Sequence, residues 1–451
     1  PGTATSAAST SVMANSLLQT ASIVPVISCS ANRSSHSSVL SSGPISPIRV
    51  LPIPCAMGKP VPSETRTVSG GASTNGADIP LAQQEPGSYP PAVQKGTLMT
   101  RQTLIENYPH RVGGHCGSAA MRDLLHWQGL GWEEPPEEGL VFTLGGSLGL
   151  SYLHSSDLFP PLYLVGRDSD FEVDLPHRLG AQVQVLTTDD PREGWSWISQ
   201  EIDAGRPALI WGDIAELPYL RVRLQMSRHD IVVIGYDEAE RIAFVVDNDR
   251  AEVQKVSFDA LARARSSMSF PQPTRHTTYR IAWPHELPDL AQVAAAAFRQ
   301  SAANMRHPTP PGVVDLTTAV SGSEGLAAVA QLAADVRTWS HLPADELEIL
   351  LFSLSAFIEK AGTGGGLFRK LLADGCADVA RLTGDLATED LAVVARHCAQ
   401  TWTEAGRAGI EHEVDVRTRL ERVASAVSLL PTLELQLAEA LESASRSLAA
   451  A

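Results

Sequence analysis

From Thr103 onward, apolar residues recur along the chain with a period. In the first hundred residues they come only in short bursts, such as Ile45 to Ile53. Cys116–Trp127, CGSAAMRDLLHW, places Ala119, Ala120, Leu124 and Trp127 at helical spacing. The Gly113–Gly114 pair before it can make a tight entry turn, so Cys116 falls at or near a helix N-terminus. Leu140–Leu150, LVFTLGGSLGL, is apolar and Gly-rich and reads as a short strand or buried turn. Arg178–Leu186 reads as a helix end followed by a strand, Gln182–Leu186, and Trp195–Ala204 as an amphipathic helix stopped by Gly205. PALIW (Pro207–Trp211) reads as a buried strand. Asp230–Tyr236 and Arg241–Asp247 are two further strands joined by the polar turn Asp237–Glu240, which predicts an antiparallel hairpin.

After about Pro284 the apolar spacing changes to threes and fours. Helices are predicted over Leu290–Met305, Gly325–Trp339, Asp345–Lys360, Gly366–Thr383, Glu389–Gly409 and Glu413–Leu430. A last helix, Leu433–Leu448, is predicted to restart after Pro431 with Thr432 as its cap. The expected fold class is α+β: residues 1–98 a disordered leader, 99–285 an α+β domain, which the order of candidate residues below marks as papain-like and cysteine-peptidase-type, and 286–451 an all-helical domain.

Composition sets the leader apart. Residues 1–98 hold 18 Ser, dense Pro and Gly, and three acids, Glu64, Asp78 and Glu85, too little apolar surface to offset ordering. A transit peptide is one reading of an acid-poor, Ser-rich stretch. It lacks the regular Arg spacing of a targeting helix, so a non-native extension with the protein proper starting at Met99 is preferred. The chain carries a net charge of −16. An acidic balance disfavours nucleic acid and anionic membranes, which reward clustered Lys and Arg. No apolar run approaches the roughly 18 residues of a membrane span. The five cysteines are scattered and form no CxxC pair, which excludes a disulfide framework or zinc ribbon and fits a cytoplasmic setting.

The candidate chemistry begins with Cys116. A thiol nucleophile needs thiolate character, a base and oxyanion donors, and a helix N-terminus favours the first and supplies N–H groups for the last. His229 opens one strand of the expected hairpin and Asp247 closes the other, so the two should lie side by side. A helix-capping Cys, then a His at a strand start, then an Asp at the next strand end is the papain-like order. Taken singly, each of these residues is more often structural: a buried thiol, an edge histidine, a turn former. Their joint order and the GGHCGS context favour the site. A metal site from His115, Cys116 and His229 has no ligand pair at helical or knuckle spacing and is not expected.

Gly113-Gly114-His115-Cys116, the helix through Leu124–Leu125, and Gly145-Gly146-Ser147-Leu148-Gly149 with Tyr152 resemble the N-terminal domain of the butirosin biosynthesis protein H family. So do Asp213…Leu217-Pro218-Tyr219, His229…Gly235-Tyr236-Asp237 and Val246-Asp247. Ile358-Glu359-Lys360-Ala361-Gly362-Thr363-Gly364-Gly365-Gly366, followed by Phe368-Arg369, resembles the uncharacterised C-terminal domain usually fused to it. The resemblance spans about residues 103–440. It implies a papain-like thiol acyltransferase that moves an acyl group from an acyl carrier protein thioester to a small-molecule amine. Cys116 would be nucleophile, His229 base and acid, and Asp247 orienter. No cofactor is implied, because phosphopantetheine arrives on the carrier protein. Many papain-like enzymes carry an oxyanion-donating Gln about six residues before the nucleophile. His110-Arg111-Val112-Gly113-Gly114-His115 has none, which leaves His110 as the stand-in.

Further expectations are weaker in their chemistry. Asp213 and Tyr219 are candidates to line a pocket for a cationic or hydroxylated acceptor. Arg221, Arg223 and Arg228 are candidates for a basic docking patch for an acidic carrier protein. AGTGGG lacks the Lys-Ser/Thr of a P-loop and reads as a tight helix–helix joint. Glu133, Glu134, Glu137 and Glu138 read as a solvated acidic loop, and the Ala/Leu-rich helical half would suit a homo-oligomer. A cysteine hydrolase on the same scaffold, thioesterase or peptidase, and a non-catalytic binding or scaffold protein are the alternatives to acyl transfer.

Overall fold

In this computed structural model, residues 65–67, 102–155, 160–167, 170–308 and 322–450 are described. The chain runs β1 (Thr65–Thr67), β2 (Gln102–Leu104), α1 (Cys116–Trp127), α2 (Glu138–Leu144), β3 (Leu148–His154), β4 (Leu162–Arg167), α3 (Phe171–Arg178), β5 (Gln182–Leu186), α4 (Pro191–Asp203) and β6 (Ala208–Gly212). It continues through β7 (His229–Asp237), β8 (Ile242–Asp247), β9 (Arg250–Ser257), α5 (Phe258–Arg265) and β10 (Thr278–Ala282). Helices then dominate: α6 (Leu290–Arg306), the short β11 (Gly322–Glu324), α7 (Gly325–Thr338), α8 (Ala344–Glu359), α9 (Arg369–Thr383), α10 (Leu386–Gly409), α11 (Val416–Val427) and α12 (Leu430–Ala450). This is an α+β protein. The expectation of a disordered leader falls outside the described residues, apart from Thr65–Thr67, whose backbone pairs with β5.

The larger sheet has the order β1-β5-β10-β6-β7-β8-β9, with β2 paired to the far end of β7. Every pair in it is antiparallel. A second sheet, β11-β3-β4, is also antiparallel. Alternation along the central strand decides what covers each face. Ile231 and Val233 of β7 pack with Ile198 and Ile202 of α4 and Ala260 and Leu261 of α5. Val232 and Ile234 face the other way, onto a core that holds Met121 and Leu124 of α1. That core runs on through Phe298 of α6, Leu332 of α7, Trp402 of α10 and Leu441 of α12. The shift from strands to helices after Pro284 is therefore a change of secondary structure within one shared core.

The hairpin β7–β8, strand β5 and the helical series lie where the periodicity puts them. Residues 140–150 differ: Leu140–Leu144 end α2, the chain turns at Gly145 and Gly146, and β3 starts at Leu148. Gly146 has φ of 64°, and a Cβ on Gly145 would lie 2.3 Å from the Phe171 ring, so this turn requires glycine. Helix α12 starts at Leu430, one residue before the proline. Pro431 thus stands in its first turn, where the missing N–H is no loss, and Thr432 is helical instead of a cap.

A buried ion pair ties the helices to the smaller sheet. Arg369 and Glu434 have fully buried side chains, with Nε–Oε1 at 2.8 Å and Nη2–Oε2 at 3.1 Å. Arg369 also donates to Gly166 O on β4 and Gly149 O on β3, and Trp402 Nε1 donates to Glu434 Oε1. Arg369→Met would leave a buried carboxylate without its cation and two strand carbonyls without their donor. We expect it to destabilise the fold by about 3–5 kcal/mol, read as a lower urea unfolding midpoint. A midpoint unchanged from wild type would show that the pair carries no net stabilisation. Among the described residues no helix is long and apolar enough to cross a membrane.

Candidate active site

The site forms where α1 begins and the hairpin ends. His115 caps α1: its backbone is extended (φ −133°, ψ 133°) and its Nδ1 accepts the Ser118 N–H at 3.2 Å. Nδ1 also lies 3.1 Å from the Ser118 hydroxyl oxygen, and Nε2 has no hydrogen-bond partner. The ring stands edge-on among Phe142, Phe171 and Phe368. Cys116 is the first residue of the helix and is partly exposed. The opening N–H groups of an α-helix have no preceding turn to receive them.

The turn before Cys116 is held from two sides. Glu138, at the start of α2, accepts the Gly114 N–H and the His115 N–H, each at 2.8 Å, and the Ser118 hydroxyl at 3.0 Å. Glu133, Glu134 and Glu137 are exposed, as a solvated loop requires, with Glu133 and Glu137 paired to Arg381 and Arg111; the expectation fails at Glu138, which clasps the nucleophile turn. From the other side Gly364, in the AGTGGG loop, donates its N–H to Gly114 O at 3.0 Å. A Cβ on Gly114 would lie 2.5 Å from Gly364 Cα. That loop is a close backbone approach, as its glycines imply, and the backbone it approaches is the one that aims Cys116. Gly114→Ala should force the two backbones apart, lower stability by about 1–3 kcal/mol and slow alkylation of Cys116. Urea unfolding and iodoacetamide labelling of the Cys116 peptide check this, and unchanged labelling would show that the contact does not aim the sulfur.

His229 opens β7 and Asp247 closes β8; the register pairs Val232 with Val246, which puts Asp247 level with Ile231, two positions from His229 on the same face. His229 Nε2 lies 2.8 Å from Asp247 Oδ2, and the same oxygen accepts the Tyr219 hydroxyl at 2.7 Å. Asp247 Oδ1 accepts the Asp249 N–H. Its carboxylate is fully buried and His229 nearly so. The His229 ring and Cys116 also act on each other: the imidazole lowers the thiol and the sulfur raises the imidazole. Burial pushes the Cys116 thiol up, but the His115 and His229 rings outweigh it and hold the thiol well below its ordinary value. Burial opposes charge on His229, but Asp247 and the sulfur outweigh it and hold the imidazole well above its ordinary value. The two shifts together favour a thiolate–imidazolium pair. Cys376 and Cys398 contrast with this: both are buried and burial pushes their thiols up.

Cys116, His229 and Asp247 are thus brought together, and the remaining candidates are placed elsewhere. His110 has both ring nitrogens committed, Nδ1 to Asp123 at 2.8 Å and Nε2 to Arg250 O at 2.7 Å, so it clamps α1 to the start of β9 and has no proton left for an oxyanion. Asp213 is buried as a cap, its carboxylate taken up by the Ala215 and Met226 N–H groups and the Ser267 hydroxyl. Tyr219 supports Asp247. Arg228 is buried against Glu172 at 3.1 Å and over the Trp211 ring at 4.9 Å, which removes it from any docking surface. Arg221 and Arg223 are exposed.

Two residues the sequence reading passed over stand beside the sulfur. Asp230 Oδ2 lies 3.6 Å from Cys116 Sγ. Glu172 stands close by: a Cβ on Gly117 would meet Glu172 Oε1 at 3.1 Å and Asp230 Oδ2 at 3.2 Å. Asp230 adjoins His229 in a strand otherwise rich in Val and Ile, a signal that was open to reading. Glu172 carried none, since an acid in a first helical turn is ordinary.

Among known families, residues 115–248 match Butirosin biosynthesis protein H, N-terminal, and residues 259–441 match a Domain of unknown function (DUF4872). No curated protein matches the chain.

Proposed function

Residues 115–248 match the butirosin biosynthesis protein H N-terminal family, and from that premise we propose that the chain works in antibiotic biosynthesis as a thiol acyltransferase. It takes an acyl group from a carrier-protein thioester onto Cys116 and passes it to an amine. The observation that carries this reading is one chain of contacts. The Cys116 sulfur sits at a helix N-terminus, His229 helps hold its thiol below the ordinary value, and His229 Nε2 lies 2.8 Å from Asp247 Oδ2.

In this reading the reaction runs in two halves. The thiolate attacks the thioester carbonyl, and the N–H groups at the start of α1 receive the developing oxyanion. The C–S bond to phosphopantetheine breaks, and the departing sulfur takes the proton from the His229 imidazolium. The neutral imidazole then accepts a proton from the incoming amine as its nitrogen attacks the acyl-thioester. Collapse breaks the bond to Sγ and restores the thiolate–imidazolium pair. Asp247, fixed by Tyr219 and the Asp249 N–H, keeps the ring in the orientation both halves need. Arg221 and Arg223 are the exposed cations left to meet an acidic carrier protein.

The test uses an acyl-pantetheine thioester with the full-length protein, with and without a panel of primary amines, products followed by mass. Acyl transfer predicts amide that depends on the amine offered. Free acid whatever amine is present would assign a hydrolase, and no consumption of thioester would assign a binding protein.

A further inference from the structure

Beside the sulfur lies a carboxyl group for which the scheme above has no use. Asp230 is 1 % exposed. Its Oδ2 has Cys116 Sγ at 3.6 Å, and its Oδ1 has no hydrogen-bond partner. The neighbouring Glu172, equally buried, holds the Arg228 guanidinium through Oε2 at 3.1 Å, while its Oε1 is unpartnered. Two buried carboxyls thus lie beside an electron-rich sulfur, and the ion pair belongs to Glu172. An ionised carboxylate with no N–H donor on either oxygen, facing a thiolate and a second carboxylate, is among the costliest arrangements a protein interior can hold. One proton shared into this cluster relieves it, and the carboxyl without a cation in hydrogen-bonding contact is the one that keeps it.

We propose that Asp230 works as a carboxylic acid, donating its Oδ2 proton to the Cys116 sulfur, and is a catalytic residue for acyl transfer. This rests on Cys116 being the nucleophile. The groups around it agree. Burial, then the charges of Glu172 and Cys116 and the hydrogen-bonding proximity of Glu172, hold the Asp230 carboxyl well above the ordinary carboxylate range, and Arg167 opposes them. Glu172 is the opposite case: burial raises it, but Arg228 and Arg167 hold it below its ordinary value. Tyr279 of β10 faces the same cluster and is held well above its ordinary value, by burial first and then by Glu172, so it stays a neutral phenol. His229, on the same strand, turns to Asp247 and the sulfur.

The chemistry follows without any net proton transfer to or from Asp230. In the resting enzyme its O–H stabilises the thiolate. During collapse of the second intermediate the Sγ–carbon bond breaks, its electron pair returns to sulfur, and the same O–H receives that charge while His229 holds the proton taken from the amine. The arrangement lets one sulfur be a nucleophile at neutral pH and a good leaving group later.

The experiment is the pH dependence of iodoacetamide alkylation, followed at the Cys116 peptide, in wild type, Asp230→Ala and Asp230→Asn. A carboxylic acid donor predicts that Asp230→Ala raises the thiol midpoint and slows alkylation at pH 6 by about tenfold or more. Asp230→Asn, which keeps an N–H donor, should stay within about threefold of wild type. An ionised Asp230 predicts the opposite sign: both variants would lose a negative charge and react faster at low pH. That outcome, or an unchanged Asp230→Ala, overturns the proposal. Should the alanine variant fail to fold, the asparagine variant decides alone, since acceleration at low pH or a tenfold loss each contradicts the donor role. Alkylation reads the sulfur without any acyl substrate. A protein that transfers no acyl group but shows the expected profiles would lose the proposed function and keep the donor. A protein that transfers acyl groups but fails the profiles would keep the function and lose the donor.

Discussion

Cys116→Ser is expected to lower the rate of acyl transfer by about a thousandfold or more while leaving the urea unfolding midpoint close to wild type. The physical reason is the change of atom. A serine hydroxyl at this position stays protonated at neutral pH, whereas the thiol is held well below its ordinary value by the two imidazoles. The hydrogen-bonding geometry survives the substitution, so the loss falls on the reaction and not on the fold. Cys116 is also partly exposed at the helix start, outside the apolar core that carries stability. A structural cysteine would behave the other way, with a small effect on rate and a measurable effect on the midpoint. A Ser variant that turns over within about tenfold of wild type would remove Cys116 from the reaction.

The second large effect is expected from His229→Ala. His229 has two roles, as the cation that holds the thiolate and as the base and acid of the two half-reactions, and losing both should cost roughly 10²- to 10⁴-fold in acyl transfer. The sign of the pH effect separates the roles. In wild type the reactive pair exists between the lowered thiol value and the raised imidazole value, so alkylation of Cys116 should persist as pH falls below the usual thiol range. Removing the imidazole leaves burial, which raises the thiol, opposed by His115 alone. The alkylation midpoint should move up, and labelling at neutral pH should fall while labelling at alkaline pH recovers. Asp247→Asn should move the midpoint less, because an amide still accepts from His229 Nε2 but no longer supplies the charge that raises the imidazole. An alkylation profile in His229→Ala that overlays wild type would mean the ring does not touch the sulfur in solution.

Much of the site was readable because its three central residues stand at element ends. Cys116 follows Gly113, Gly114 and the cap His115, His229 and Asp230 precede a run of Ile and Val, and Asp247 closes the next strand, so the hairpin brings the ends that carry His229 and Asp247 near each other. The supports were not readable for a common reason: each is a polar residue whose partner lies far along the chain. Glu138 serves a turn more than twenty residues earlier, and Gly364 touches Gly114 across the whole sheet domain. Arg369 and Glu434 look like ordinary helix-surface charges until the helices pack and bury them. The expected docking arginine Arg228 failed for the same reason, since nothing local reveals that Glu172 waits for it. Strands β9 and β10 passed unread because RAEVQKVS has a polar, edge-strand pattern and TYRIA is short. His110 looked available by its spacing from Cys116, yet its ring fills the gap between Asp123 and the Arg250 carbonyl.

The most direct measurement is the intact mass of the protein after brief exposure to an acyl-pantetheine thioester, followed by addition of an amine. The account predicts one acyl group gained, located on the Cys116 peptide, absent in Cys116→Ser, and discharged as the amide when the amine is added. Thioester consumed with no adduct on Cys116 in wild type, or an adduct that persists on another residue in Cys116→Ser, would contradict it.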